Sequence, residues 1–106
     1  MSPSLAELTD PWQPAVLQLV ALTAAAGQAA GKPVGVCGEA AADPALACVL
    51  VGLGVTSLSM ATGAVPGVGA RLSQVTREQC AAAAQAVLTT SSPAEARAAA
   101  AAALDG

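Results

Sequence analysis

Histidine, tyrosine and phenylalanine are absent from the 106 residues, and Trp12 is the only aromatic side chain. Positive charge is scarce, with Lys32, Arg71, Arg77 and Arg97 its only bearers and a formal net charge of −3. No basic patch can form from so few cations, which argues against nucleic acid as a partner. It also argues against unaided capture of a phosphorylated metabolite, because such a ligand wants several cations or a nest of backbone N–H groups. The cysteines are Cys37, Cys48 and Cys80, odd in number and widely spaced. Without histidine and without a Cys-x-x-Cys pair, no zinc set can be assembled, and no metal ligands are assigned within the chain. The start of the chain is acidic and lacks the apolar core of a signal peptide. A reducing cytoplasm and three free thiols are expected.

Alanine takes the place of the missing aromatics, and apolar residues make up 55% of the chain. A chain of this length allows one small domain that buries about two-thirds of its unfolded surface. Alanine offers little area to bury at about 25 cal/mol per Å² of apolar surface, so marginal stability as a monomer is expected. Residues 44–70 carry no charge and have the length of a membrane span. Gly52, Gly54, Gly63, Pro66, Gly67 and Gly69 interrupt them, and no basic flank precedes them. A buried helix-loop-strand-loop-helix run fits better than a membrane segment.

Residues 1–10 read as a flexible arm and 11–106 as one domain. Leu17, Val20, Ala21 and Ala24 lie at helical spacing and predict a helix from about Pro14 to Ala30. Gly31-Lys32-Pro33 breaks it. Val34–Cys37 predicts a short buried strand. Asp43 is a good N-cap with Pro44 behind it, opening a helix to about Val51. Gly52-Leu53-Gly54 reads as a turn and Thr56–Met60 as a second strand. A glycine-weakened helix is expected over 64–73. Thr76 and Gln79 form a capping box for a helix over about 77–89. Ser92, Pro93 and Glu95 repeat the device for a last helix to Leu104. Strand, helix, strand implies a parallel pair joined by a right-handed crossover.

Chemistry concentrates in Val34-Gly35-Val36-Cys37-Gly38-Glu39. A reactive side chain at the carboxyl end of a strand, in a glycine-loosened turn, stands where parallel α/β folds place their sites. Cys37 reads as a small buried hydrophobe or as a proton donor. Gly38 reads as a turn glycine or as a position where a ligand approaches the backbone. Glu39 reads as a solvated charge or as a group that orients the thiol. Cys48 and Cys80 fall within helices and read as packing residues. Ser59 and Met60 end the second strand, and Met60 reads as core filling or as a ligand contact.

Four blocks resemble, in order, the phosphoenolpyruvate-utilising barrel of enzyme I of the bacterial sugar phosphotransferase system and, more distantly, of pyruvate phosphate dikinase. Gln13–Val20 is similar to "H-P-A-V-L-R-L-I", and Cys37-Gly38-Glu39 to the family's Cys-Gly-Glu segment. Gly52–Met60 is similar to "G-L-G-V-x-x-L-S-M", and Ala64–Val68 to "A-I-P-R-V". The resemblance covers roughly residues 11–104.

The resemblance implies an α/β fold: a partial (β/α) TIM-type barrel, about the last two βα units with flanking helices, in a helix-rich chain. The family barrel has eight such units, and its phosphate-gripping arginines and metal-holding Glu and Asp lie upstream of the matching part. The implied function is that of the C-terminal fragment of a phosphoenolpyruvate–protein phosphotransferase. That enzyme moves the phosphoryl group of phosphoenolpyruvate (PEP) to a protein histidine, with Mg2+, and passes it to a phosphocarrier protein. The resemblance assigns Cys37 to protonation of the substrate's methylene carbon, and Gly38 and, more weakly, Glu39 are the candidate substrate-binding residues beside it. An ordinary thiol is mostly protonated at neutral pH and can donate to carbon. Departures are Ala40 and Ala42 in the Cys-Gly-Glu block, Gly67 for the Arg of "I-P-R-V" and Gln18 for the Arg of "V-L-R-L". With no histidine and no metal ligands, the isolated chain is expected to be inactive and to bind no cofactor. The alternative is a non-catalytic oligomerisation or interaction module derived from that barrel. Exposed strand edges point to a homodimer. Neither nucleic acid nor membrane is expected as a partner.

Overall fold

The computed structural model describes residues 10–106. The arm expected over 1–10 lies outside the described residues except for Asp10. That residue is held: its carboxylate pairs with Arg97 at 2.8 Å and accepts the Trp12 backbone N–H at 2.9 Å.

Helix α1 (Pro14–Ala29) starts on a proline, whose missing N–H costs nothing in a first turn. It ends in a Schellman motif: Gly31 takes φ +68°, Lys32 N–H bonds the Gly27 carbonyl and Gly31 N–H bonds that of Gln28. Strand β1 (Gly35–Cys37) leads through Gly38 into a four-residue helix, α2 (Glu39–Ala42). Asp43 then caps α3 (Pro44–Gly52), accepting the N–H groups of Ala45 and Leu46. Strand β2 (Ser57–Ser59) follows, then a 3-10 turn (Thr62–Ala64) and α4 (Val65–Ser73). Helix α5 (Arg77–Leu88) carries both halves of the capping box, Thr76 N–H to Gln79 Oε1 at 2.9 Å and Gln79 N–H to Thr76 Oγ1 at 3.1 Å. Helix α6 (Pro93–Asp105) has half of it. Ser92 Oγ accepts the Glu95 N–H, but the Glu95 carboxylate turns to the Ser92 hydroxyl.

Helix α3 is the axis of the molecule. Leu46 to Leu50 are buried on every side, with α2, α4, α5 and α6 packed around them. This explains the uncharged stretch over α3, since a helix enclosed all round is apolar all round, but the rest of the run expected to be buried is not, with Ser57, Ser59 and most of residues 61–70 exposed. Among the described residues no helix is long and apolar enough to cross a membrane. Helices α5 and α6 pack through Ala83, Ala96 and Ala100, all fully buried, so alanine serves here as close-contact surface rather than filler. Trp12 closes one end of the core at 2% exposure. Its indole N–H donates to Asp43 Oδ2 at 2.9 Å and its ring lies under the Arg97 guanidinium, 6.0 Å away.

The two strands pair in parallel, Gly35 with Ser57, Val36 with Leu58 and Cys37 with Ser59. The chain is thus a helix-rich α/β domain with a small parallel sheet. Two expectations need correction. The first strand is not buried. Gly35 and Cys37 are exposed and Val36 is half-buried, because only one face of the sheet is covered by helices. Residues 39–42 form a helix of their own between the strand and the Asp43 cap, too short for any periodicity to announce it.

Candidate active site

The period of two along a strand sorts this sheet cleanly. Val36 and Leu58 share one face and pack against the helical core. Gly35, Cys37, Ser57 and Ser59 share the other, all exposed. This second face is built only of small and weakly polar groups, and Cys37 and Ser59 stand side by side at its carboxyl end.

Gly38 is what releases the chain after Cys37. It takes φ +90° and ψ −151°, a region closed to residues with a side chain, while a Cβ there would meet no other atom. The glycine is therefore required by backbone conformation rather than by lack of room. Its N–H donates to the Ser59 carbonyl at 3.0 Å and extends the ladder one step beyond Cys37. Its carbonyl accepts the Ala42 N–H at 3.2 Å and closes the turn of α2. The Cys37–Gly38 corner is thus fixed from both sides.

The Cys37 thiol is free and exposed, whereas Cys48 and Cys80 are free and buried in the helical core. Glu39 opens α2 at the same end of the sheet but is exposed, and it makes no hydrogen bond or ion pair among the described residues. The structure gives it no contact that orients the thiol. Met60 follows β2 half-buried.

The cations lie elsewhere. Arg71 pairs with Asp105 at 2.8 Å and Arg97 with Asp10. Lys32 precedes the amino end of β1. Arg77 borders a depression with Gly52, Gly54 and Thr56, beside the amino end of β2. Each is engaged or placed away from the corner that carries Cys37. Among the described residues, no three His, Cys, Asp or Glu side chains stand close enough to hold a metal ion.

One member of the site's support was only half visible in the sequence. Asp43 reads there as a helix cap, but it also receives the indole N–H of Trp12. With Arg97 over the ring and Asp10 on Arg97, a connected set ties α6 and the start of α1 to the segment that follows Cys37. The lone aromatic was the available signal.

A small parallel sheet with one bare polar face and a thiol at its carboxyl end defines a helix-rich α/β domain, the class in which strand ends are the usual place for ligands. The comparisons make the class specific. Residues 1–77 match the family described as PEP-utilising enzyme, PEP-binding domain. The chain belongs to that family. It is 58% identical over 103 residues to a phosphoenolpyruvate-protein phosphotransferase of Streptomyces coelicolor, covering 97% of this chain and 18% of that protein. It is 49% identical over 72 residues to a multiphosphoryl transfer protein of Rhodobacter capsulatus, covering 68% of this chain and 9% of that protein. A phosphoenolpyruvate-protein phosphotransferase of Cupriavidus necator is 51% identical over 57 residues, 54% of this chain and 10% of that protein. The chain therefore spans less than a fifth of the length of these relatives.

Proposed function

We propose that this chain is the C-terminal portion of the PEP-binding barrel of a phosphoenolpyruvate–protein phosphotransferase, and that Cys37 is its proton donor. The observation that carries the reading is the bare face of the sheet. In a closed barrel one face of each strand meets the surrounding helices and the other lines the interior. Val36 and Leu58 face helices here, and Gly35, Cys37, Ser57 and Ser59 would face the interior.

In that setting the phosphoryl group leaves PEP for a protein histidine supplied by another part of the enzyme. The remaining enolate needs one proton on its methylene carbon to become pyruvate. The Cys37 S–H gives that proton and its electron pair stays on sulfur as thiolate. An exposed thiolate is re-protonated from solvent. Gly38 lets the substrate approach the backbone, and Glu39 serves as a second, weaker contact at the same strand end. Mg2+ and the phosphate-gripping cations would belong to upstream barrel units, and the phosphocarrier protein would receive the phosphoryl group. The three free thiols suit a cytoplasmic enzyme of sugar transport. Taken alone, the chain would neither hold the metal nor turn over PEP.

A second reading is a non-catalytic interaction module made from the same barrel. The exposed Leu19 and Leu22 of α1 and the free strand edges favour it, and both readings accommodate a homodimer.

The discriminating experiment replaces the corresponding segment of the Streptomyces coelicolor relative with this chain. The chimera is expected to transfer phosphate from PEP to a phosphocarrier protein. Cys37→Ala in the chimera should lower turnover about 10²-fold or more, the usual worth of a positioned acid. A chimera with Cys37→Ala as fast as its parent overturns the role of Cys37. A folded chimera with no transfer at all overturns the catalytic reading in favour of the module.

A further inference from the structure

Cys48 and Cys80 are absorbed by no part of that mechanism. Cys48 sits mid-way along α3, fully buried, and Cys80 in the first turn of α5 at 3% exposure. The two helices cross in intimate contact. Gly52, one turn beyond Cys48 on the same face of α3, lies so close to the Cys80 backbone that a Cβ on it would run into the Cys80 carbonyl. The crossing point thus brings Cys80 against the face of α3 that carries Cys48, and the Cys80 thiol lies near enough to push the Cys48 thiol up. Cys80 also borders the depression formed with Gly52, Gly54, Thr56 and Arg77, which opens to solvent.

We propose that Cys48 and Cys80 form a reversible disulfide that locks α3 to α5 when the protein meets a peroxide. The chemistry closes without further reactants. Peroxide oxidises the Cys80 sulfur to a sulfenic acid and departs as water. The Cys48 sulfur then attacks it, forming the S–S bond, and the displaced hydroxyl leaves with the Cys48 proton as a second water. The two thiols lose two electrons and the peroxide gains them. Order follows from access and acidity. Cys80, 3% exposed, borders the opening, whereas Cys48 is fully buried, and burial and the neighbouring Cys80 thiol push Cys48 up to about 11, so Cys48 does not begin the reaction as a thiolate. A disulfide needs a set S–S distance and torsion, and the pair must reach them by adjustment at the helix crossing.

The test uses the Cys37→Ser chain, which keeps only the buried pair. It is treated with hydrogen peroxide in stoichiometric amount, denatured, alkylated and mapped by mass spectrometry. Both remaining thiols are expected to vanish together, with the tryptic peptide holding Cys48 joined to that holding Cys80, and dithiothreitol should restore both. In Cys37→Ser/Cys48→Ala the Cys80 sulfenic acid should persist and be trapped by dimedone. Two intact thiols after treatment overturn the proposal. So does over-oxidation of Cys80 with Cys48 still free, or a disulfide between two chains rather than within one.

Discussion

Cys48 gives the molecule a pH dependence that no surface group would. Its thiol is held up at about 11 against an ordinary 9.0, first by burial and then by the Cys80 thiol beside it. The folded chain therefore favours the neutral form. As pH rises past 9 the unfolded chain releases this proton before the folded chain does. The contribution to stability is complete below pH 9 and is lost as pH climbs through 11. Melting temperatures taken between pH 8 and 11 should fall more steeply for the parent than for Cys48→Ala, whose own melting point at pH 7 drops only modestly. Equal slopes in the two chains would show that Cys48 is not responsible. Cys37 is exposed on the bare face of the sheet and Cys48 is fully buried, a difference set by position on the fold rather than by sequence surroundings.

The α3–α5 crossing shows how an element-scale contact can reverse a local preference. Gly52 is the last residue of α3, and alanine there would improve helix propensity by about 1 kcal/mol. The added Cβ, however, meets the Cys80 carbonyl and lies 3.0 Å from the Ala84 side chain. Gly52→Ala is expected to destabilise the chain by about 1–3 kcal/mol, the range of an overpacked core, read as a lower urea midpoint. A rise in the midpoint would show that the helices part at little cost. The same residue illustrates what the sequence could not reveal. Gly52 reads as a turn because glycine ends helices, and nothing local says that a second helix 28 residues later presses on it. Caps were legible since their partners lie three residues apart, as in Thr76 with Gln79 and Ser92 with Glu95. The Trp12–Asp43 bond joins residues 31 apart and leaves no local trace. Cys37 at a strand end was legible from its motif, but its exposure was not. A run such as Val34–Cys37 reads as buried only if other strands lie beside it. Glu39 stood in the same motif, yet it has no partner among the described residues.

At the scale of the whole molecule, what is left uncovered sets the expected behaviour in solution. Among the described residues each strand of the pair keeps one unpaired edge, and three residues of ladder are too short to stand alone without support from the helices. Helix α1 turns Leu17 and Ala24 into the core and leaves Val16, Leu19 and Leu22 in a single stripe on the opposite side, with the two leucines 64% and 69% exposed. Spacing by three residues puts these side chains one above another, so they form a continuous ridge rather than scattered contacts. A ridge of that kind on so small a domain favours association, and a two-fold pairing that packs α1 against its copy buries it on both chains at once. Light scattering at micromolar concentration is expected to give twice the mass of the 10.1-kDa chain. Leu19→Glu with Leu22→Glu should return it to the monomer without loss of helicity, since both side chains point away from the core. If the parent chain is already a monodisperse monomer with a cooperative melt, the ridge is not an interface and the small core closes by itself. If the double variant remains a dimer, the strand edges rather than α1 hold the pair together.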